Sequence, residues 1–471
     1  MLAKIVSVAH LGLNAQKIEV ETDMSNGLPG FLVVGLANKA VDESKERVRS
    51  SIKNSSLNFP SKRITVNLAP ADLPKNGSCF DLAIAVGILA CSGQIATLPP
   101  HAVYYGELAL DGSTQPTLAC LATAIATKEI GCTELFIPHH NAEQAALVPD
   151  IHVYPVQSLL QLYKHLIGEE RIIPLDPLSI RADATNISSD TKRTYPDMAE
   201  VYGQEQAKRA AEIAAAGNHN ILFSGPPGSG KTLLAKSLPS ILPAPEFSEQ
   251  LEITRIHSLV SDEMPTLLAT RPFRSPHHTA SSIALTGGGQ WPKPGEISLA
   301  HRGILFLDEL PEFPRNVLEV LRQPLEEKSV TIARATATYK FPANFMLVAT
   351  QNPCPCGYSG DPPMQCQRSP SQVQRYQHKV SGPLLDRIDI KVHVGRIKNE
   401  DILAQRKSES SAKIATRVSA ARTIQIERLR NSASRTNSEL SNAEIKQHCG
   451  LNDDTQALAN QALSQLRLSA R

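Results

Sequence analysis

Short runs of apolar residues, broken by glycine, proline and polar clusters, set the pattern of the front of the chain. Residues 3–8, 17–22, 30–34 and 64–68 are β-rich and predict strands, while 39–53 and 81–91 predict helices. Strands and helices interleaved in this way predict an α/β domain over residues 1–171. The pattern fades after that. Residues 172–194 are polar and interrupted by Pro174 and Pro177, which predicts a linker over 172–196. It returns with three wholly apolar runs, Ile221-Leu222-Phe223, Ile304-Leu305-Phe306-Leu307 and Phe345-Met346-Leu347-Val348-Ala349. Runs without alternation mark strands buried on both faces. They define a second α/β region, 197–395. From 396 to 471 the pattern turns helical and rich in Ala, Ser, Leu, Arg and Gln.

Composition changes this picture little. A chain of 471 residues suits two to four domains at roughly 100–200 residues each. The longest apolar run, Leu82 to Cys91, has the length of a buried helix and is too short to span a membrane. Residues 1–16 have no sustained apolar core ending in a cleavage site, so no signal peptide is expected. Eight cysteines without a secretory signal predict reduced thiols and a cytoplasmic protein. A net charge of +2 gives no global signal for a polyanion, so any nucleic-acid contact must come from local loops.

The chemistry is concentrated after the Ile221–Phe223 run. Gly225-Pro226-Pro227-Gly228-Ser229-Gly230-Lys231-Thr232 fits G-x-x-x-x-G-K-[ST] at every fixed position. Its glycines let backbone N–H groups turn toward an anion, and the helix that follows adds its dipole. Lys231 is placed to reach the β- and γ-phosphates of a nucleotide, and the Thr232 hydroxyl to hold Mg²⁺. Strand before and helix after make this a nucleotide site. Downstream, the 304–307 run ends in Asp308-Glu309. Asp308 is placed to anchor the Mg²⁺ shell and Glu309 to polarise the attacking water.

Further segments carry a family resemblance. Val201-Tyr202-Gly203-Gln204 resembles the adenine-side segment of AAA+ ATPases, and Asn352, after the third apolar run, matches their sensor position. Arg387 in Ser381-Gly382-Pro383-Leu384-Leu385-Asp386-Arg387 matches the finger that one subunit inserts into its neighbour's site. Arg471 matches the second sensor of their helical lid, which here looks cut short. Residues 271–278 and 287–301, with Asn352-Pro353-Cys354-Pro355-Cys356-Gly357-Tyr358, are similar to the magnesium-chelatase-like AAA+ pattern of the ComM (YifB) competence-protein family.

The resemblance covers essentially the whole chain. It implies a Lon-protease-like N-terminal domain, an AAA+ αβα core with a helix-2 insert, and a C-terminal helical lid. It also implies a homo-hexamer that uses ATP, with Mg²⁺, to act on single-stranded or branched DNA as a branch-migration helicase in natural transformation. Arg274, Trp291 and Lys293 in the insert suit phosphate contact and base stacking. Two other functions share the motifs: a chelatase-type ATPase subunit driving a metal-insertion partner, and an ATP-dependent peptidase. Against the peptidase, Cys79 stands where Lon-type enzymes have their serine and Leu121 where they have the lysine, and leucine cannot accept a proton. Cys354, Cys356 and Cys366 invite a zinc reading. The family commonly offers a fourth cysteine where Arg368 stands here. Two alternatives therefore stay open, a metal site completed from elsewhere and reduced structural thiols.

Overall fold

The front of the chain folds around a mixed seven-stranded sheet. Its strands are β1 (Leu2–Leu11), β2 (Asn14–Ser25), β3 (Gly30–Val34), β4 (Arg63–Ala69) and β5 (Ala102–Tyr104). After a small hairpin of β6 (Glu107–Leu108) and β7 (Thr114–Gln115) come β8 (Glu134–Pro138) and β9 (His152–Val156). The order across the sheet is β3-β4-β2-β1-β5-β8-β9. β1 and β2 form a long antiparallel hairpin from Leu2↔Asp23 to Leu11↔Asn14, while β5, β8 and β9 run parallel. The helix Asp81–Cys91 is buried along almost its whole length, as its unbroken apolar sequence requires. A side chain at Gly87 would come within 2.5 Å of Thr22 Oγ1, so glycine lets helix and sheet approach. The computed structural model describes residues 2–466 except 36–38, 72, 74, 76, 179, 181–194, 262–266, 290–291, 335–337, 361–365, 397–407 and 433. No helix among the described residues is long and apolar enough to cross a membrane.

The second compact unit comprises residues 193–249, 270–332 and 340–471. In chain order its strands are β10 (Ile221–Ser224), β11 (Phe273–Arg274), β12 (Gly287–Gly288), β13 (Lys293–Pro294) and β14 (Ile304–Leu307). Then follow β15 (Ser329–Ala333) and β16 (Thr338–Pro342), of which 333 and 338–339 are assigned to the front unit, and β17 (Met346–Gln351) and β18 (Ile390–His393). Five of them make a wholly parallel sheet, β11-β14-β17-β10-β18. Phe223, Phe306, Met346 and Val348 are buried in its core. This is the arrangement of a P-loop ATPase core, with ligands expected at the carboxyl ends of the strands.

Register then decides the site. Ser224 pairs with Gln351 and Leu307 with Ala349, so the residues that leave β10, β14 and β17 emerge on one edge. Phe273 and Arg274, the latter expected as a DNA contact, pair instead with Ile304 and Leu305 as the edge strand. Gly303 makes room for this, since a Cβ there would sit 2.0 Å from the Pro272 carbonyl oxygen. The chain after 410 is helical: Ser411–Arg428, Asn442–His448 and Asp453–Leu466. Its longest helix packs on the helix Glu205–Gly217, donating Gln425 Nε2 to the Ala216 carbonyl at 2.9 Å.

Candidate functional site

The loop after β10 is shaped by three glycines for two different reasons. Gly228 and Gly230 hold φ of +74° and +89°, in the left-handed region where other residues are strained. A Cβ at either would meet nothing within 4 Å, so nothing among the described residues crowds the loop there. Gly225 is different. Its Cβ would lie 2.0 Å from the Val394 carbonyl oxygen, so it lets the ends of β10 and β18 close together. The helix Lys231–Ser237 starts at once after Gly230. Lys231 is buried, and its Nζ donates to the carbonyls of Gly225 at 2.8 Å and Pro226 at 2.7 Å. Burial lowers its pKa, while Asp308 and Glu309 nearby act to raise it. A buried ammonium held on the loop's own carbonyls is the cation that phosphate oxygens call for.

The side of the loop expected to face Mg²⁺ is built from hard oxygens. Thr232 Oγ1 lies 3.3 Å from both carboxylate oxygens of Asp308. Thr350, on β17, donates its hydroxyl to Asp308 Oδ1 at 2.5 Å and accepts the Glu309 N–H at 2.9 Å. Motif reading misses Thr350; the signal is a buried hydroxyl in an otherwise apolar run. Two hydroxyls around one carboxylate suit Mg²⁺, which takes one or two protein carboxylates and keeps its waters. Glu309 has φ of +55°, a strained backbone for a residue with a side chain, at the point where the strand breaks. Asn352 follows directly on Gln351, whose carbonyl accepts the Gly225 N–H at 3.2 Å. Gln204 joins the segment 201–204 to the loop, donating Nε2 to Gly395 O at 2.6 Å and Ser229 O at 3.3 Å.

Asn220 is a second residue the motifs do not reveal. Its side chain accepts the Leu347 N–H at 2.8 Å and donates to the Arg387 carbonyl at 2.9 Å. Its own N–H reaches Asp389 Oδ2 at 3.0 Å. One side chain thus ties β10 to β17 and to the segment carrying Arg387. Asn220→Ala leaves the buried Leu347 N–H unpaired, and should destabilise the fold by about 1–3 kcal/mol in chemical denaturation. An unchanged denaturation midpoint would show the tie to be dispensable. Among the described residues, Arg387 itself pairs with neither Asp386 nor Asp389. Its guanidinium meets Glu326 and the Pro383 carbonyl.

Three family models match along the chain: magnesium chelatase, subunit ChlI, over residues 197–402; subunit ChlI of Mg-chelatase over 20–141; and the ChlI C-terminal region over 408–471. Competence protein ComM of Haemophilus influenzae is 45% identical over 478 residues, covering 100% of this chain and 91% of that protein. The chain belongs to the ComM/YifB family of magnesium-chelatase ChlI-type ATPases. The uncharacterized protein YifB of Salmonella typhimurium is 41% identical over 474 residues, covering 100% of this chain and 90% of its own. The magnesium-chelatase 38 kDa subunit of Cereibacter sphaeroides is 26% identical over 180 residues, 34% of this chain and 54% of that protein. A ComM/YifB ATPase hydrolyses ATP with Mg²⁺, and the residues after β10, β14 and β17 fit both. Lys231 and the loop N–H groups would hold the phosphates, and Thr232 and Asp308 the ion. Bound there, Mg²⁺ supplies positive charge against the charge that builds on the phosphates during transfer.

Other residues singled out for this family fall elsewhere. Arg274, expected to face DNA phosphate, closes both arms of its guanidinium on Glu296, at 2.6 Å each. That pairing raises its pKa and occupies the fork in its own chain. Lys293 is exposed on β13, which pairs with β12 to form a short hairpin. Trp291 and Arg471 lie outside the described residues. The three thiols converge, with Sγ–Sγ distances of 3.2 Å for Cys354–Cys356, 3.4 Å for Cys356–Cys366 and 3.6 Å for Cys366–Cys354. Among the described residues no fourth His, Cys, Asp or Glu joins them. The set fits three corners of a tetrahedral soft-metal site and leaves the fourth open. Gly357, at the end of this loop, abuts the nucleotide loop: its Cβ would lie 2.5 Å from Pro227 Cδ.

The front unit holds no Ser–Lys-type dyad at the Lon-like positions. Leu121 is fully buried. Burial pushes the Cys79 thiol up to about 12, with a hydrogen bond from Tyr105 opposing it only in part. A thiol held that high is a poor nucleophile. Asp81, two residues on, is buried and paired with Arg47 at 2.7 Å; burial raises it to about 6 against the pull of that arginine. These are the marks of structural packing.

Proposed function

We propose that the protein is an ATP-driven DNA motor working as a homo-hexameric ring, a branch-migration helicase in natural transformation and recombination. The observation that carries this is the whole-length likeness to a protein named for competence, supported by a buried Lys231 and a Thr232–Asp308–Thr350 group that suit a P-loop nucleotide and its Mg²⁺. The magnesium-chelatase 38 kDa subunit of Cereibacter sphaeroides is 26% identical over 34% of this chain, against 45% over the whole chain for ComM, which makes a chelatase-type role the weaker reading. The absent dyad at Cys79 and Leu121 speaks against the peptidase. In this reading residues 1–171 form a Lon-like domain, 172–196 the linker, 197–395 an AAA+ core and 396–471 the lid. The β12–β13 hairpin is the tip of the helix-2 insert. Asn352 acts as sensor and Arg387 as the finger for a neighbour.

The test is the ATPase rate of the purified protein with and without single-stranded, duplex and branched DNA. Stimulation by DNA supports the motor. No response to any DNA form would favour the chelatase-type role. The insert gives a sharper result through Lys293→Ala, the cleaner variant because Arg274→Ala would also strand Glu296. Each lost phosphate contact should flatten the slope of log affinity against log salt by up to about one unit. Basal ATPase should persist while DNA stimulation falls. Trp291, the one tryptophan, should quench on single-stranded DNA if its ring stacks on a base. Unchanged DNA affinity in Lys293→Ala would move the contact surface away from the hairpin.

A further inference from the structure

A cavity of about 290 Å³ lies in the second unit, away from the nucleotide loop. Asn218, Gly303 and Asn344 on its wall lie just before β10, β14 and β17, so it sits at the amino ends of the parallel strands. The P-loop lies at the carboxyl ends, about 13 Å off for strands of this length. Four arginines line the cavity against three glutamates, Glu246, Glu249 and Glu439. Arg271 is paired with Glu249 at 2.8 Å, and Arg302 approaches the same carboxylate at 3.8 Å. Arg435 meets Glu246 at 3.3 Å. Glu439 is taken up by Asn344 Nδ2 at 2.6 Å and the Arg435 N–H at 2.7 Å.

That leaves Arg422 as the cation on this wall without a carboxylate among the described residues. Its Nη2 donates to the Ala215 carbonyl at 2.7 Å, and its Nε is buried without a partner. A guanidinium has five N–H donors, so one carbonyl leaves most of them unused. Burial and the neighbouring Arg271 push its pKa down to about 10, opposed by Glu249 and Glu439. Ala215 belongs to the last turn of the helix Glu205–Gly217, whose end carries about half a negative charge and offsets only part of the guanidinium. Among the described residues no carboxylate pairs directly with this guanidinium, so its burial is only partly offset.

We propose that this cavity is a second anion site, taking inorganic phosphate or the phosphate of a mononucleotide on Arg422. Arg422 lies on the helix Ser411–Arg428 and Arg435 beyond it, whereas Arg271 and Arg302 flank strands of the sheet. A bound dianion ties the C-terminal helices to the sheet from the side opposite the nucleotide.

The experiment titrates inorganic phosphate, and separately AMP, into the full-length protein at constant ionic strength, reading thermal unfolding. Ligand that binds only the folded state raises the transition in a saturable way. Wild type and Lys231→Ala should both respond, because the site is not the P-loop, and Arg422→Gln should bind at least about ten-fold more weakly. A tighter response to phosphate or to AMP tells which source the site prefers, and either supports it. A response that vanishes in Lys231→Ala, persists in Arg422→Gln, or is matched by chloride overturns it. Should Arg422→Gln not fold, Arg435→Gln replaces it, with weaker phosphate binding expected and unchanged binding overturning the site.

Discussion

Lys231→Ala is expected to lose nucleotide binding, and Glu309→Gln to keep it while losing turnover. The two differ in what they remove. Lys231 is the buried cation on the Gly225 and Pro226 carbonyls, and without it phosphate charge in the loop is uncompensated. Truncating one partner of such a pair costs about 2–5 kcal/mol, a drop in affinity of roughly thirty-fold or more. Glu309→Gln keeps size and polarity in the strained turn but cannot take up a proton. General-base catalysis contributes about 10²–10⁴-fold, so the rate should fall by that order at near-normal nucleotide affinity. Fluorescent-nucleotide titration and a phosphate-release assay separate the effects. Equal affinity in wild type and Lys231→Ala would sink the assignment of the site.

Arg387→Ala should be nearly as inactive as Lys231→Ala, yet equimolar mixing of the two should restore hydrolysis. Among the described residues, the Arg387 guanidinium rests on Glu326 and the Pro383 carbonyl, and not on the loop, Asp308 or Glu309 of its own chain. The guanidinium is thus left outside its own chain's nucleotide loop, as expected of a residue that serves a neighbour's site. Fingers of this kind are worth about 10³-fold or more in rate. In randomly mixed rings, about a quarter of interfaces would join an intact finger to an intact P-loop. Recovery toward that fraction, under ATP and Mg²⁺ at a concentration where rings form, supports action across the interface. A mixture as inactive as each parent shows that Arg387 works within its own subunit or not at all.

Much of the candidate nucleotide site is legible in the amino-acid sequence alone. Gly225 to Thr232, Asp308 and Glu309 announce themselves because phosphate and Mg²⁺ chemistry demands fixed residue types at fixed local spacing. The apolar runs that form β10, β14 and β17 are legible for a related reason: a strand covered on both faces tolerates no polar alternation. The β15–β16 pair carries a weaker signal, the alternation of Val330, Ile332, Tyr339 and Phe341 with polar neighbours, which marks strands covered on one face.

Other features are decided by tertiary structure alone. Thr350 joins the Mg²⁺ side only because register sets Leu307 against Ala349 and so brings Asp308 beside it. Asn220, Gln204 and Arg422 find partners or cavities more than twenty residues away. Arg274 reads as a loop cation until Glu296 is seen across from it. The chain by itself determines what must be local: the anion loop, the acid pair, and which strands are buried. Which distant side chain meets which charge follows from strand order and register, set by the packing of the whole sheet. A polar residue's spacing along the chain carries no record of that, because its partner is chosen by the fold and not by its neighbours.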